Sequence, residues 1–475
     1  MDTLKGLWPG FEYMDHQQIG VRWMLEKEAA GTGALLCDDM GLGKTIQIAG
    51  LIKNQPDEKK QTTLVIAPVA VLQQWKTVFQ RSGMQVSVPK KAGYTWRVET
   101  KGASSSEISI IGYEAAQRTP SLVKAYNWDR VIYDEAHRLV NPKSSTAALA
   151  LTFKERVKKI WLLTGTPIVN KEKDILTLFS VAGIPVPSQA TLTTLAPIIN
   201  DYILARNMDQ LREEIETAPA KPEFETCYLD FTTDDEREFY LGITGIICKR
   251  WKGLEADTGG LTGLARLRLF MRLRQLSLHP QVYISARKAA LKSLYTRADW
   301  TAPSTKFEKM REIICEAPIS HKWIIFCHFR QEMDMLEEMF RNETSVEIVQ
   351  QYNGEMTAAQ KSDVVARSQL PLMEGKQEVL LVQLQSGGTG LNLQHFDRII
   401  FTGPWWTQAL VEQAIGRAVR IGQTKVVKVY NLILKEEEAL NIDKYMIEKA
   451  TEKGEMCKSV LSNAFSTISK NDSSL

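Results

Sequence analysis

The clearest chemistry in this chain lies in one stretch, Asp38-Asp39-Met40-Gly41-Leu42-Gly43-Lys44-Thr45. A glycine turn followed by a lysine and a hydroxyl is what a bound phosphate needs. Backbone N–H groups at such a turn and at a helix N-terminus point at the anion, and the helix dipole favours its charge. Lys44 then reaches the β- and γ-phosphates of a nucleoside triphosphate such as ATP, and the Thr45 hydroxyl can ligate Mg²⁺. Asp39, Met40, Gly41, Leu42 and Gly43 form the rest of the cradle. Asp38 stands where the general G-x-x-x-x-G-K-[ST] pattern has its first glycine. A glycine turn that merely caps a helix accounts for Gly41 and Gly43, but gives no reason for Lys44-Thr45 to follow.

A second cluster of reactive groups is Asp134-Glu135-Ala136-His137, directly after the apolar run Val131-Ile132-Tyr133. Carboxylates at the C-terminal end of a parallel strand sit where ligands bind in open α/β sheets. Asp134 is placed to hold Mg²⁺, directly or through water, and Glu135 to orient and deprotonate an attacking water. Leu162-Leu163-Thr164-Gly165-Thr166-Pro167 puts hydroxyls and a glycine at another strand end. Gln17, near the start of a capped helix over 15–24, carries an amide that matches the donor–acceptor edge of adenine; the bland alternative is a solvated helix residue.

These groups need elements to position them. Gly33–Cys37 is a short apolar run before the loop, and Ile46, Ala49 and Ile52 recur at helical spacing after it. Strand-like runs follow at 63–67, 107–111, 129–133 and 159–163, with helix-competent stretches between most of them, the alternation of a parallel sheet. From 197 to about 274 that alternation stops. Pro219-Ala220-Lys221-Pro222 reads as a linker, and a glycine-rich loop spans 253–263. Strand-like runs resume at 323–326, 346–349, 379–382, 398–401 and 425–433. The organisation expected is therefore a first lobe over 1–222, a helical insert with the start of a second lobe over 223–300, the second lobe over 301–450 and a polar tail over 451–475.

Length and composition bound the rest. The chain has 475 residues, enough for two or three domains with full cores, and a net charge of only +3, so a nucleic-acid surface would have to be a local patch. Six cysteines without a C-x-x-C pair argue against both a zinc module and a disulfide framework, and fit a reducing, intracellular setting. No secretory leader is visible, and no apolar run approaches a membrane span.

Several pieces, in order along the chain, resemble the SWI/SNF-type ATPases of helicase superfamily two. They are the loop at 38–45, Ala67-Pro68 with Gln74-Trp75, the Asp-Glu-Ala-His box, 164–170, and Asp201–Arg206 with Ala205 in place of one arginine of the family's usual pair. In the second half they are Leu278-His279-Pro280, Tyr352-Asn353-Gly354, 385–393 with Gly390, and 413–423. The family's loop also begins with an acidic residue; Asp39 replaces its usual glutamate, and Val419 its usual histidine.

The resemblance implies an α/β fold of two RecA-like parallel-sheet lobes, with helical inserts at the lobe junction and ATP and Mg²⁺ in the cleft between lobes. It implies a DNA-dependent ATPase that moves along double-stranded DNA and acts on DNA-bound proteins or nucleosomes. Gly390 would let backbone approach a phosphate closely. Arg417 and Arg420, three apart and so expected on one helical face, would act as fingers on ATP held by the first lobe. Arg266, Arg268, Arg272 and Arg274 are spread round the helix that ends in His-Pro, as phosphate contacts or as a solvated face. Two rivals stand beside this reading. One is an RNA helicase, since the Asp-Glu-Ala-His box also occurs there. The other is a nucleic-acid-binding scaffold without turnover, against which the intact Lys44, Asp134, Glu135, Arg417 and Arg420 argue.

Overall fold

The computed structural model describes residues 3–56, 61–87, 90–92, 95–97, 108–118, 127–169, 171, 173–187, 190, 192–212, 218–255, 262–384, 392–420, 422–453 and 455. Two compact units divide the chain, one of Met1–Ala218 with Glu452–Leu475 and one of Pro219–Thr451.

The first unit is built on a parallel sheet of β1 (Leu35–Leu36), β2 (Thr63–Ala67), β3 (Val86–Ser87), β6 (Ile108–Gly112), β7 (Arg130–Asp134), β8 (Lys159–Leu163) and β9 (Ile203–Leu204). Its order is β3-β6-β2-β7-β8-β1-β9, while β4 (Lys90–Ala92) and β5 (Thr95–Arg97) pair antiparallel by themselves. Side chains alternate between two apolar layers. Leu35, Leu64, Val131 and Leu162 enter one, and their chain neighbours Leu36, Val65, Ile132 and Leu163 enter the other. Burial on both faces explains why these strands read as unbroken apolar runs. The four runs expected between 63 and 163 form strands within one residue of the expected bounds.

The second unit has its own parallel sheet, in the order β10-β15-β14-β11-β13-β12. These are β10 (Glu223–Leu229), β11 (Lys322–Cys327), β12 (Val346–Tyr352), β13 (Gln377–Gln383), β14 (Arg398–Phe401) and β15 (Lys428–Leu434). β15 starts at Lys428, not at 425, because its neighbour β14 begins at Arg398 and offers no ladder partner earlier. The stretch 223–229, within the part expected to hold the helical insert and the start of the second lobe, is an edge strand along the whole of β15. Its Phe224 and Tyr228 are exposed, while Cys227 and Leu229 pack on the core.

Helices Asp234–Glu255, Thr262–Leu278 and Pro280–Leu291 form the insert, with a core of its own around Phe239, Ile243, Phe270 and Leu273. Ile442 and Met446 of a helix over 442–453 join that core, so regular structure runs past 451, where the polar tail was expected to start. The loop over 99–106 and most of the glycine-rich 253–263 lie outside the described residues, as does the tail beyond Glu455. Among the described residues no helix is long and apolar enough to cross a membrane.

Candidate active site

Register brings four strand ends of the first unit into one row. Asp134 is level with Leu163, Leu163 with Leu36, and, one position earlier on each strand, Leu35 with Ile203. Neighbouring strands lie about 4.8 Å apart, so the segments leaving β7, β8, β1 and β9 emerge side by side at the C-terminal edge. Those segments carry Asp134-Glu135, Thr164-Gly165, the loop 38–45 and Arg206.

The loop turns through Gly41 and Gly43, whose φ angles of 90° and 80° suit glycine. Helix Lys44–Lys53 then begins with Gly43 at its N-cap. The Lys44 ammonium donates to the Asp38 carbonyl at 2.7 Å and to that of Asp39 at 3.2 Å, closing the cradle on itself. Thr45 is half-buried beside it. His16 Nε2 lies 3.0 Å from the Leu42 carbonyl. Gln17 is buried against the loop and is not a solvated helix residue: its Nε2 donates to Leu42 O at 3.5 Å and its Oε1 accepts from the Met14 N–H at 3.3 Å.

Asp38, fully buried, pairs with Arg206 through Nε–Oδ1 at 2.9 Å and Nη2–Oδ2 at 2.6 Å. Gln47 Nε2 donates to the same carboxylate at 2.8 Å. Asp39 accepts the Met208 N–H on Oδ2 at 2.9 Å, and burial, only partly offset by that bond and by Lys44, raises its carboxyl above the usual range.

Asp134 is held from both sides. Trp75 Nε1 donates to Oδ2 at 2.7 Å and the Glu135 N–H to Oδ1 at 2.9 Å. Burial first, then the neighbouring Glu135 charge, pushes its carboxyl up to about 6. The next residue, Glu135, adopts the left-handed conformation with φ 52°, which a side chain with a Cβ takes only when its surroundings impose it. Its Oε2 lies 3.3 Å from His137 Nδ1, which is also 3.3 Å from Thr164 Oγ1. Thr164 in turn accepts the Thr166 N–H at 3.1 Å. The acidic box is thereby joined to the strand end at 164–166.

Among the described residues no three His, Cys, Asp or Glu side chains cluster as a cage for a metal. Asp134 and Thr45 are a sparse, oxygen-only set. That fits Mg²⁺, which keeps several waters and is held by one or two protein groups together with substrate phosphates.

In the second unit the matched pieces also meet. The Leu393 N–H donates to Arg417 O at 2.9 Å, Gln423 Nε2 donates to the carbonyls of Gln394 and Phe396 at 2.9 Å, and the Arg417 charge bears on Tyr352. Arg417 is buried and Arg420 half-buried, with burial lowering the Arg420 guanidinium below its ordinary value. They do not share a regular helical face. Helix Gln408–Ile415 ends at Gly416, and the chain continues in turns that let Ala418 enter the core. Gly390 lies outside the described residues.

The arginines of helix Thr262–Leu278 split by environment. Arg268 is exposed, Arg266 and Arg272 are half-buried, and Arg274 is buried with its guanidinium 4.8 Å from the Trp405 ring. Arg274 donates to His328 Nδ1 at 2.6 Å, and His328 Nε2 lies 3.1 Å from Gly403 O. Arg274 thus supports the second unit and is not a solvated residue.

In the sequence, Trp75 and the 201–206 segment stand out only through the family resemblance, and nothing there points to the contacts of Gln47 and His16. The one signal for Arg206 was Asp38 itself, an acid in a glycine position that needs a partner once buried.

Residues 16–192 match the family described as SNF2-related domain, and residues 305–422 match the helicase conserved C-terminal domain. A Bacillus subtilis protein described as an ATP-dependent helicase/translocase, YwqA, is 26% identical over 88% of this chain and 46% of its own length. A global transactivator described in Orgyia pseudotsugata multicapsid polyhedrosis virus is 25% identical over 91% of this chain and 88% of its own. An Arabidopsis thaliana protein described as the ATP-dependent DNA helicase CHR12 is 26% identical over 97% of this chain and 43% of its own. The chain therefore spans less than half the length of two of these three relatives and most of the viral one.

Proposed function

The chain belongs to the SNF2 family of helicase-like ATPases, and from that premise we propose that it hydrolyses ATP to move along double-stranded DNA. The observation that carries the ATP site is the single row of strand ends, which sets the loop 38–45, Asp134-Glu135 and Thr164 at one sheet edge. Lys44 exchanges its carbonyl partners for the β- and γ-phosphates, and backbone N–H groups of 40–45 hold their oxygens. We assign Gln17 to the adenine edge: its present hydrogen bonds, at 3.3 and 3.5 Å, are long and replaceable. Thr45 and Asp134 hold the Mg²⁺, which when bound neutralises phosphate charge. Glu135 orients the attacking water and takes its proton.

Arg417 and Arg420 are assigned to the charge that develops on the transferred phosphoryl group, and the 385–391 glycines to close approach of a phosphate. The finer partners, DNA-bound proteins or nucleosomes, follow from the family reading alone. The test is ATP turnover with Mg²⁺ or with a chelator, and with duplex DNA, single-stranded DNA or RNA. Turnover that needs Mg²⁺ and rises most with duplex DNA supports the proposal. Equal stimulation by RNA supports the helicase rival, and no turnover under any condition supports the scaffold.

A further inference from the structure

The acid at the head of the loop has no role in holding phosphate, since it is fully buried. An ionised carboxylate taken out of water needs compensation, and here Arg206 and Gln47 supply it. Arg206 meets both oxygens of Asp38 with its fork, at 2.9 and 2.6 Å, and its Nη2 also donates to Gln47 Oε1 at 2.8 Å. Nη1 of the same guanidinium donates to the His16 carbonyl in helix Asp15–Ala29. Room for this network depends on Gly20, where a Cβ would sit 1.9 Å from Gln47 Oε1 and 2.9 Å from Arg206 Nη2.

The backbone repeats the connection. The Cys37 N–H donates to Leu204 O at 2.6 Å and the Asp39 N–H to Arg206 O at 2.8 Å, so the first half of the loop is laid along 204–206. The two carbonyls on which Lys44 rests, those of Asp38 and Asp39, are the ones this clamp fixes. When Lys44 turns to a phosphate those carbonyls lose their cation, and the Asp38–Arg206 pair is what keeps the loop in shape.

We propose that Arg206 is a positioning residue for ATP, acting through Asp38 to hold the first half of the phosphate loop in the conformation that Lys44 and the loop N–H groups require. A planar fork does this and a single ammonium does not, so lysine at 206 is not a conservative replacement. This inference rests on the loop's being the ATP site.

The test compares Arg206→Lys and the double variant Asp38→Asn/Arg206→Gln, which buries no charge, with the unaltered protein. Arg130→Lys is the control. Arg130 makes an equally buried pair with Glu28 at the other end of β7, away from the loop. KM for ATP, kcat and the thermal midpoint without nucleotide are measured on each. Loss of a charge-assisted fork predicts a KM raised about tenfold in both 206 variants, with a midpoint within a few degrees of the unaltered protein for the double variant. Arg130→Lys lowers the midpoint and leaves KM unchanged. Unchanged KM in both 206 variants, or a loss that merely follows the fraction unfolded as in Arg130→Lys, overturns the inference. Failure of the unaltered protein to bind or hydrolyse ATP instead overturns the site reading beneath it.

Discussion

At the scale of residues, the site is a set of groups whose chemistry is held in check by neighbours. Lys44 is occupied by carbonyls of its own loop, and Asp134 by the Trp75 and Glu135 N–H groups. Removing Lys44 or Glu135 should therefore cost chemistry and little else, because both side chains are only half-buried. Lys44→Ala and Glu135→Gln are expected to lower ATP turnover by about a hundredfold or more, with a thermal midpoint close to that of the unaltered protein. Normal turnover in either variant removes that residue from the machinery. Arg417→Ala and Arg420→Ala should keep nucleotide affinity and lose turnover, since their contact is assigned to the transition state. Equilibrium nucleotide binding set beside single-turnover hydrolysis checks this. Weakened binding with intact hydrolysis assigns both arginines to support of the second unit instead. Lys44, Asp134 and Glu135 were legible because a short motif carries their whole chemistry. Arg206 was not, because its partner lies 168 residues away, and the one hint, an acid in a glycine position, does not say which cation meets it.

At the scale of elements, strands buried on both faces announce themselves as apolar runs, and those runs were legible to within a residue or a few. The edge strand β10 was not, for the opposite reason: its outer face is exposed, so its apolar residues are spaced and mixed with Glu223 and Glu225. The two-residue strands β3 and β9 are too short to show any period. The His279-Pro280 element had a resemblance but no mechanism from sequence, and the structure supplies one. His279 is the N-cap of helix Pro280–Leu291, its Nδ1 accepting the Gln281 N–H at 2.9 Å, with Pro280 in the first turn.

Burial lowers the His279 imidazole from 6.5 to about 4 and holds His328 well below its ordinary value too. Between pH 6.5 and 4 the unfolded chain therefore binds protons that the folded second unit refuses. Stability is full above 6.5 and falls as pH drops through that window, by up to about 3 kcal/mol for His279. Denaturant unfolding followed across pH 7 to 4 measures the slope. Asparagine can also cap a helix but does not titrate, so His279→Asn should make the slope shallower, leaving the part due to His328. An unchanged slope in that variant removes His279 as a source of the acid sensitivity.

At the scale of the whole molecule, two parallel-sheet units divide the labour. The first holds the phosphate loop and the acidic box, and the second brings Tyr352, Leu393 and the Arg417–Gln423 segment together. Sequence alone indicated two such sheets, because the alternation of strand and helix stops and restarts. It put the start of the second lobe somewhere within 223–300 and did not mark 223–229 as one of its strands. A net charge of +3 gives no long-range pull on nucleic acid, so the proposed grip on DNA rests on local contacts to phosphates. Such contacts release counterions, and binding weakens steeply as salt rises. The most direct measurement is the ATP turnover rate as duplex DNA is titrated at low and at moderate salt, with RNA of the same length titrated in parallel. The account predicts a rate that climbs with duplex DNA, a half-maximal DNA concentration that moves upward severalfold or more with salt, and little response to RNA. A rate that RNA raises as much as duplex DNA, or one indifferent to every nucleic acid, contradicts it.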